Sequence, residues 1–311
     1  MNSTPPCVSF IAITDFSARW EYMTESVSDL LGWDPSDLRD HSFFELVHPD
    51  ELSKVQQLHH ETILADKAAA VAYMRLKHKD AHKGYLLCAV SRTVVHDKVV
   101  GSVSFATPGG KALHNSSTAQ EITVITPTAS NFEFRRWNDP QPRLQPPSPT
   151  SPAARPSSTR DPTPPADLPT AQSARTALIL DRFSVNCTVT YYSNHQLVVP
   201  AAATRRAFFD LVAREDEAVV RSWLEAIKTC GVNGRGQPSG GGFGYGRFLL
   251  CTEGRDSAPS TEPPPQPTSR WRRHPTRVPA PPTDASPQIS VDAIFSAHSD
   301  GLVCILRRAP Q

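Results

Sequence analysis

The chain has 311 residues, which gives room for two domains of roughly 100–150 residues each. Its 32 Lys+Arg against 31 Asp+Glu leave a formal charge of +1, so its composition provides no global attraction to nucleic acid or an anionic membrane. No apolar run reaches the ~18 residues of a membrane helix, and the first residues lack a secretory signal pattern. We therefore expect an intracellular protein, in the nucleus and/or the cytoplasm, with no membrane contact.

The 30 prolines are about twice the usual ~5% share, and they concentrate in two windows, Pro140 to Pro169 and Pro259 to Pro287. Both windows are poor in aliphatic residues, so they cannot bury enough apolar surface to offset the entropy of ordering. The resulting predicted organisation is a first domain at 5–137, a disordered Pro/Ser-rich linker at 138–175, and a second domain at 176–308 with a Gly/Pro-rich insertion at 231–287.

In chain order, the sequence of the first domain predicts two short strands, several short helices and three long strands. The runs Val8 to Thr14 and Arg19 to Met23 are rich in β-forming residues. A helical turn over Phe43 to Val47 breaks at His48-Pro49, and Asp50 is predicted to cap the longer helix that follows. The three closing strands are predicted at Ala70 to His78, Gly84 to Val95 and Val99 to Ala106.

This order of elements is accompanied by two motifs, Ser28-Asp-Leu-Leu-Gly-Trp-Asp-Pro35 and Phe43-Phe-Glu-Leu-Val-His-Pro-Asp50. Together they resemble PAS domains, as found in fungal white-collar-type and bHLH-PAS regulators. The resemblance implies an α+β fold in which a five-stranded antiparallel sheet carries short helices on one face.

The sequence of the second domain repeats the pattern of the first. The apolar turn that starts at Phe43 recurs 165 residues later as Phe208-Phe-Asp-Leu-Val212, and a helix with a similar apolar pattern is predicted after each turn. Closing strands are predicted at Gly242 to Cys251, Ile289 to Phe295 and Gly301 to Leu306. We therefore predict tandem PAS domains, the second of them divergent. A long insertion between neighbouring strands is tolerable, because loop closure costs grow only logarithmically with length.

The space between a PAS sheet and its helices holds flavin or haem in some families. LOV domains bond flavin through a cysteine in an Asn-Cys-Arg-Phe-Leu-Gln segment, whereas this chain has Arg39-Asp-His-Ser-Phe-Phe44 there. Haem PAS sensors use a histidine of the long helix, which makes His59 and His60 weak haem-ligand candidates against the alternative of solvated surface residues. We expect no cofactor, with haem or flavin as the alternatives. We expect no metal site, since the six cysteines form no CxxC pair.

No HExxH, GxSxG or Walker-type motif is present, so neither an enzyme nor a catalytic residue is predicted. DNA-recognition motifs are also missing, and the basic cluster Arg270 to Arg273 is either an import patch or a solvated loop. The predicted function is non-enzymatic signalling or transcriptional co-regulation. It would act through association with a PAS-containing protein or a second copy, by a sheet face or edge, without direct sequence-specific DNA binding. The alternative is a small-molecule or cofactor sensor that uses the first PAS pocket.

Overall fold

The computed structural model describes residues 8–106, 119, 121–127, 129, 172–200, 204–229, 243–255 and 287–310. They form two α+β units, each with one sheet and helices on one face, which we call the inner face. The first unit contains, in chain order, β1 Ser9–Asp15, β2 Trp20–Met23, α1 Ser26–Leu31, α2 Pro35–Leu38, a 3₁₀ turn Phe43–Leu46, α3 Pro49–Leu64, β3 Ala70–Lys77, β4 Tyr85–Val95, β5 Lys98–Phe105 and β6 Glu121–Val124. The second contains β7 Arg175–Leu180, β8 Val189–Tyr192, a 3₁₀ turn Phe208–Leu211, α4 Arg214–Thr229, β9 Phe243–Cys251, β10 Gln288–Ala297 and β11 Leu302–Arg308.

The two sheets share one strand order. The first runs β2-β1-β5-β4-β3-β6 and the second runs β8-β7-β11-β10-β9, so the first five strands correspond one to one. Neighbouring strands are antiparallel except for β6, which pairs in parallel with β3. This sixth strand goes beyond the five that were expected, because its four residues form a strand only where the edge of β3 offers them backbone partners.

In the second unit, β9 and β10 are hydrogen-bonded neighbours although they are far apart in the chain. Strand β9 matches the closing strand predicted at Gly242 to Cys251, which lies within the segment 231–287 given as the insertion. Phe248 and Leu250 are buried at alternate positions of this strand, and their burial explains why the segment joins the sheet.

In each unit, a carboxylate in the first turn of the long helix bonds to the strand that is third in chain order, β3 or β9. Glu51 accepts hydrogen bonds from the backbone nitrogen of Arg75 (2.8 Å), from Nε of Arg75 (2.7 Å) and from Oγ1 of Thr126 (2.8 Å). In the second unit, Oδ2 of Asp216 accepts from the backbone nitrogen of Leu249 at 2.7 Å. Because a first-turn carboxylate accepts a backbone N–H of the corresponding strand in both units, α3 and α4 are structurally equivalent.

One local prediction for the first unit needs correction. Helix α3 begins at Pro49, and Nδ1 of His48 accepts the backbone N–H of Asp50 at 3.2 Å, so His48 rather than Asp50 is the capping residue. In the aromatic turn before it, Phe43 is buried against Trp20, whereas Phe44 remains partly exposed. In the repeated turn, both Phe208 and Phe209 are buried.

The outer faces of the two sheets pack against each other. Ile11 and Ile13 of β1 meet Ile179 of β7, and the rings of Tyr22 and Tyr191 stack with centroids 4.5 Å apart. The remaining apolar members of this interface are Val95, Val100, Ala177, Val303 and Ile305. The sheet-face pairing that was expected with a partner therefore occurs within this chain.

A polar rim surrounds this apolar interface. Nη1 of Arg175 donates to the carbonyl oxygen of Val94 (2.8 Å) and to Oδ1 of Asp66 (3.1 Å). On another side, the backbone nitrogen of Ser26 donates to Oδ2 of Asp300 at 2.8 Å. Two of these hydrogen bonds involve fixed backbone groups, the carbonyl oxygen of Val94 and the nitrogen of Ser26, which favours one relative placement of the two sheets.

Several predicted features fall partly or wholly outside the described residues. They include the basic cluster Arg270 to Arg273, Cys7 and Cys230, and all of the linker 138–175 except residues 172–175. Those four residues precede and begin β7, and the backbone nitrogen of Gln172 donates to the carbonyl oxygen of His96 in the first unit at 2.7 Å. Within the described residues, no helix has the length and apolarity needed to cross a membrane.

We expect Ile179→Asp to separate the two units without unfolding them. Burial of an unpaired carboxylate in this apolar interface would cost more free energy than the packing of the two sheets contributes. Small-angle scattering should show a larger radius of gyration than in the wild type. Val219→Asp is the matched control, since Val219 is half-exposed on α4. An unchanged radius in Ile179→Asp would contradict the importance of this interface.

Candidate functional site

One arginine lies on the inner face of the first sheet. Arg92 on β4 is in register with Gly101 on β5 and Ala70 on β3, and Gly101 is in register with Ala12 on β1. Side chains alternate between faces along a strand, and Cys88 and Val90 of β4 both belong to the inner core, so Arg92 points the same way. Its two immediate neighbours in the row, Gly101 and Ala70, carry no side chain larger than a methyl group, so they do not crowd the guanidinium.

The guanidinium of Arg92 is buried without a hydrogen-bond partner at two of its nitrogens. The residue is 6% exposed, and neither Nε nor Nη2 meets an acceptor within the part of the chain that the structure describes. Burial lowers the pKa of Arg92 to about 10, although the charge of Glu121 opposes this shift. Glu121 does not bind Arg92, because its carboxylate pairs with Nζ of Lys67 at 2.7 Å. A buried donor pair without an acceptor is costly, so these two nitrogens call for a partner.

Helix α3 presents two polar side chains to the same interior. His59 is 7% exposed, its Nε2 lies 3.0 Å from the carbonyl oxygen of Phe16, and the ring of Phe44 meets it edge-on. Thr62 is fully buried, and its hydroxyl donates to the carbonyl oxygen of Leu58 at 2.6 Å. Burial lowers the pKa of His59, and the positive charge of Arg92 contributes in the same direction. The lowered pKa favours the neutral imidazole.

The haem-ligand candidates occupy different environments. A carbonyl oxygen only accepts, so Nε2 of His59 donates to Phe16 and is already engaged. His60 is half-buried on the neighbouring position of the helix. Neither ring thus offers a buried, unengaged Nε2 to an iron, and the two histidines remain candidates from the sequence alone.

A second unpartnered donor lies on the same face of the sheet. Trp20 on β2 is in register with Thr14 and is 2% exposed. Its indole Nε1 is buried and has no hydrogen-bond partner among the described residues. The interior of the first unit therefore has a surplus of donors.

The second unit provides an internal comparison at equivalent positions. Phe295 pairs with Gly244 as Arg92 pairs with Ala70, so the buried ring of Phe295 takes the place of the guanidinium. By the equivalence of the two long helices, Leu224 replaces His59 and Ile227 replaces Thr62, and both are buried. The second interior is therefore apolar at all three positions where the first is polar.

Sequence reasoning identified His59 but not Arg92. The available signal was the alternation Cys88, Val90, Arg92, Val94 along a predicted strand, in which a charged residue takes an inward position. That signal is weak by itself, because the sequence does not show which face of the strand is covered.

The PAS fold family model matches residues 21–99, which span the elements of this site from β2 to the start of β5. A PAS domain is therefore present, and the α+β fold class with two PAS-like units is confirmed. No curated protein matches the chain.

Three solved structures are similar to parts of this chain. The PAS domain of the Cronobacter turicensis RpfR quorum-sensing receptor in complex with BDSF is 16% identical, with a TM-score of 0.29, and the match covers 34% of this chain and 100% of that one. Drosophila melanogaster Cycle PAS-B with bound ethylene glycol is 14% identical, with a TM-score of 0.28 and coverage of 31% and 99%. The N-terminal domain of a Marinobacter aquaeolei diguanylate cyclase with PAS/PAC sensor is 17% identical, with a TM-score of 0.27 and coverage of 30% and 92%.

We expect the stability of the first domain to fall as the pH decreases from about 6.5, the ordinary pKa of histidine. Burial lowers the pKa of His59, so the unfolded chain binds its proton at higher pH than the folded chain does. The contribution to the free energy of unfolding is at most about 2 kcal/mol between pH 7 and pH 5.

Urea unfolding at about pH 7 and about pH 5 measures this dependence, with His59→Leu as the comparison because the second domain has Leu224 at that position. The variant should lose part of the pH dependence. A remainder is expected, since burial also lowers the pKa of His78. Equal pH dependence in both proteins would show that His59 does not titrate in this way.

Proposed function

We propose that the chain is a non-enzymatic sensory signalling protein. Its first PAS domain takes up a small molecule between α3 and the inner face of the sheet, beside Arg92. The second PAS domain has a filled core and transmits the resulting change through the interface between the two sheets. This proposal develops the sensor alternative of the sequence analysis.

The observation that carries this proposal is the contrast between the two domains at equivalent positions. Folding requires a filled core, and the second domain achieves it with Phe295, Leu224 and Ile227, all buried. The first domain has Arg92 in place of that phenylalanine, at a cost in desolvation that packing does not require. A buried charge that the fold itself does not need is best explained by what it binds.

The same strand supports transmission of a signal. Arg92 lies two residues from Val94, whose carbonyl oxygen accepts from Arg175 of the second domain at 2.8 Å. The next residue, Val95, belongs to the apolar interface, as does Val100 beside Gly101. Movement of β4 on ligand binding therefore acts directly on the contact between the domains.

Equilibrium dialysis tests the proposal. The full chain is dialysed against the small-molecule fraction of a cell extract, and the retained compounds are released by denaturation and identified by mass spectrometry. We expect the wild type to retain at least one compound in roughly stoichiometric amount, as one specific site requires. A variant with His59→Leu, Thr62→Ile and Arg92→Phe should retain none, because it copies the filled interior of the second domain.

Phe295→Leu in the second domain is the matched control and should retain the compound. Loss of retention in the triple variant counts only if its circular dichroism shows a folded protein. If the wild type retains no compound, or the folded triple variant retains the same amount as the wild type, the proposed sensor function is wrong.

A second candidate function is association with a PAS-containing partner or a second copy, in signalling or in transcriptional regulation in the nucleus or cytoplasm. It is favoured by the outer face of the second sheet at β9, where Tyr245 is 60% exposed. In the first sheet, the equivalent edge strand β3 pairs with β6. Among the described residues, β9 has β10 as its only neighbouring strand. This edge is covered at Leu249, whose carbonyl oxygen accepts from the backbone nitrogen of Ala213 at 2.9 Å, so the stretch around Tyr245 is the part that could accept a further strand.

We expect Tyr245→Lys to weaken such association by about 10-fold or more, because a lysine on an edge strand opposes strand addition. Light scattering coupled to size exclusion gives the mass of the complex for the chain alone and for the chain mixed with a PAS-containing partner. Val219→Lys on α4 is the control and should leave association unchanged. A strictly monomeric wild type that binds no PAS partner would rule out this candidate.

A further inference from the structure

We infer that the first PAS domain binds a carboxylic acid with an apolar body, and that the guanidinium of Arg92 holds its carboxylate. This inference rests on the proposed sensor function and names the chemical class of its ligand. It follows from which atoms of Arg92 lack a partner, from the charges around them, and from the walls of the site.

The two unpartnered nitrogens of Arg92 are Nε and Nη2. They form one edge of the planar guanidinium, on which two N–H bonds run nearly parallel. This edge matches the two oxygens of a carboxylate in a bidentate pair. A single hydroxyl or carbonyl oxygen would satisfy only one of the two donors well.

No carboxylate within the described part of the domain takes this role. Glu121 shares the row of Arg92 but pairs with Lys67 at 2.7 Å. Glu51 is buried, and it accepts from Arg75 and Thr126. His59 carries no negative charge in either protonation state and donates to Phe16, so it does not neutralise the guanidinium. A negative charge at this place would therefore come from the ligand.

The surroundings limit the rest of the ligand. The row positions on either side of Arg92 are Ala70 and Gly101, with Ala12 beyond Gly101, and the neighbouring inward positions are the apolar Val90 and Val103. Arg92 is the one buried cation of this interior among the described residues. A phosphate carries up to two negative charges on a compact polar group and would leave most of these walls without an apolar contact. A monocarboxylate with a hydrocarbon body satisfies both the single positive charge and the apolar walls.

Isothermal titration of the full chain with three probes tests this inference. Octanoate carries the carboxylate, octan-1-ol has the same chain length without a negative charge, and inorganic phosphate has the charge without the chain. We expect octanoate to bind at least about 10-fold more tightly than octan-1-ol, as a charge-assisted bidentate pair requires, and phosphate not to bind. Arg92→Met should remove this preference and leave binding of the alcohol unchanged.

Arg247→Met is the matched control, because Arg247 is an exposed arginine that pairs with Asp292 on the outer face of the second sheet. It should bind octanoate as the wild type does. Arg92→Lys keeps the charge and loses the bidentate edge, so it should retain part of the preference. If Arg92→Met does not fold, the carboxylate assignment is still tested by Arg92→Lys and by the comparison of the three probes in the wild type.

The outcomes separate this inference from the proposed function. Equal binding of octanoate and octan-1-ol by the wild type, or an unchanged preference in Arg92→Met, would overturn the carboxylate assignment and leave the sensor function standing. If neither octanoate nor octan-1-ol binds, the compound retained in dialysis decides, since an acid supports the assignment and a neutral or cationic compound overturns it. If dialysis also retains nothing, both proposals are wrong.

Discussion

The structure depends on the alternation of side chains along the strands of its first sheet, because both faces of that sheet are covered. Its helices cover the inner face. The second sheet covers the outer face at β1 and β5, while residues near β6, including Ala119 and Ala129, pack on Val71 and Tyr73. Each strand residue is thereby committed either to the interior beneath α3 or to a contact with another part of the chain. One strand, β4, carries Arg92 inward and Val95 outward, and so connects the two environments.

The two copies of the PAS fold use this plan differently. Their strand order, the carboxylate at the start of the long helix and the aromatic turn before it are shared. Their interiors differ where a ligand would lie, since Phe295 fills the position of Arg92. A repeat in which one copy is filled and the other carries a buried cation suits a division into a binding domain and a transmitting domain.

Burial of Arg92 is the clearest departure from what stability alone would select. Removing a guanidinium from water without a partner costs several kcal/mol, and an apolar replacement of similar volume is often neutral or stabilising. The second domain demonstrates that the fold accommodates such a replacement. The proposed carboxylate ligand would supply the partner that the guanidinium of Arg92 lacks within the described residues.

The sequence by itself determined the class of fold, the order of the elements and the internal repeat, because β-forming runs, turn residues and helical spacing are local properties of the chain. Strands β3 to β5 lie within one or two residues of their predicted ends. Tertiary structure alone decided that β6 joins an edge, that the outer sheet faces meet within the chain, and that Arg92 points inward beside His59. These features depend on which face of each strand is covered and on register between segments far apart in sequence. Neither is encoded in a local pattern, since a shift of one residue would move every side chain to the opposite face.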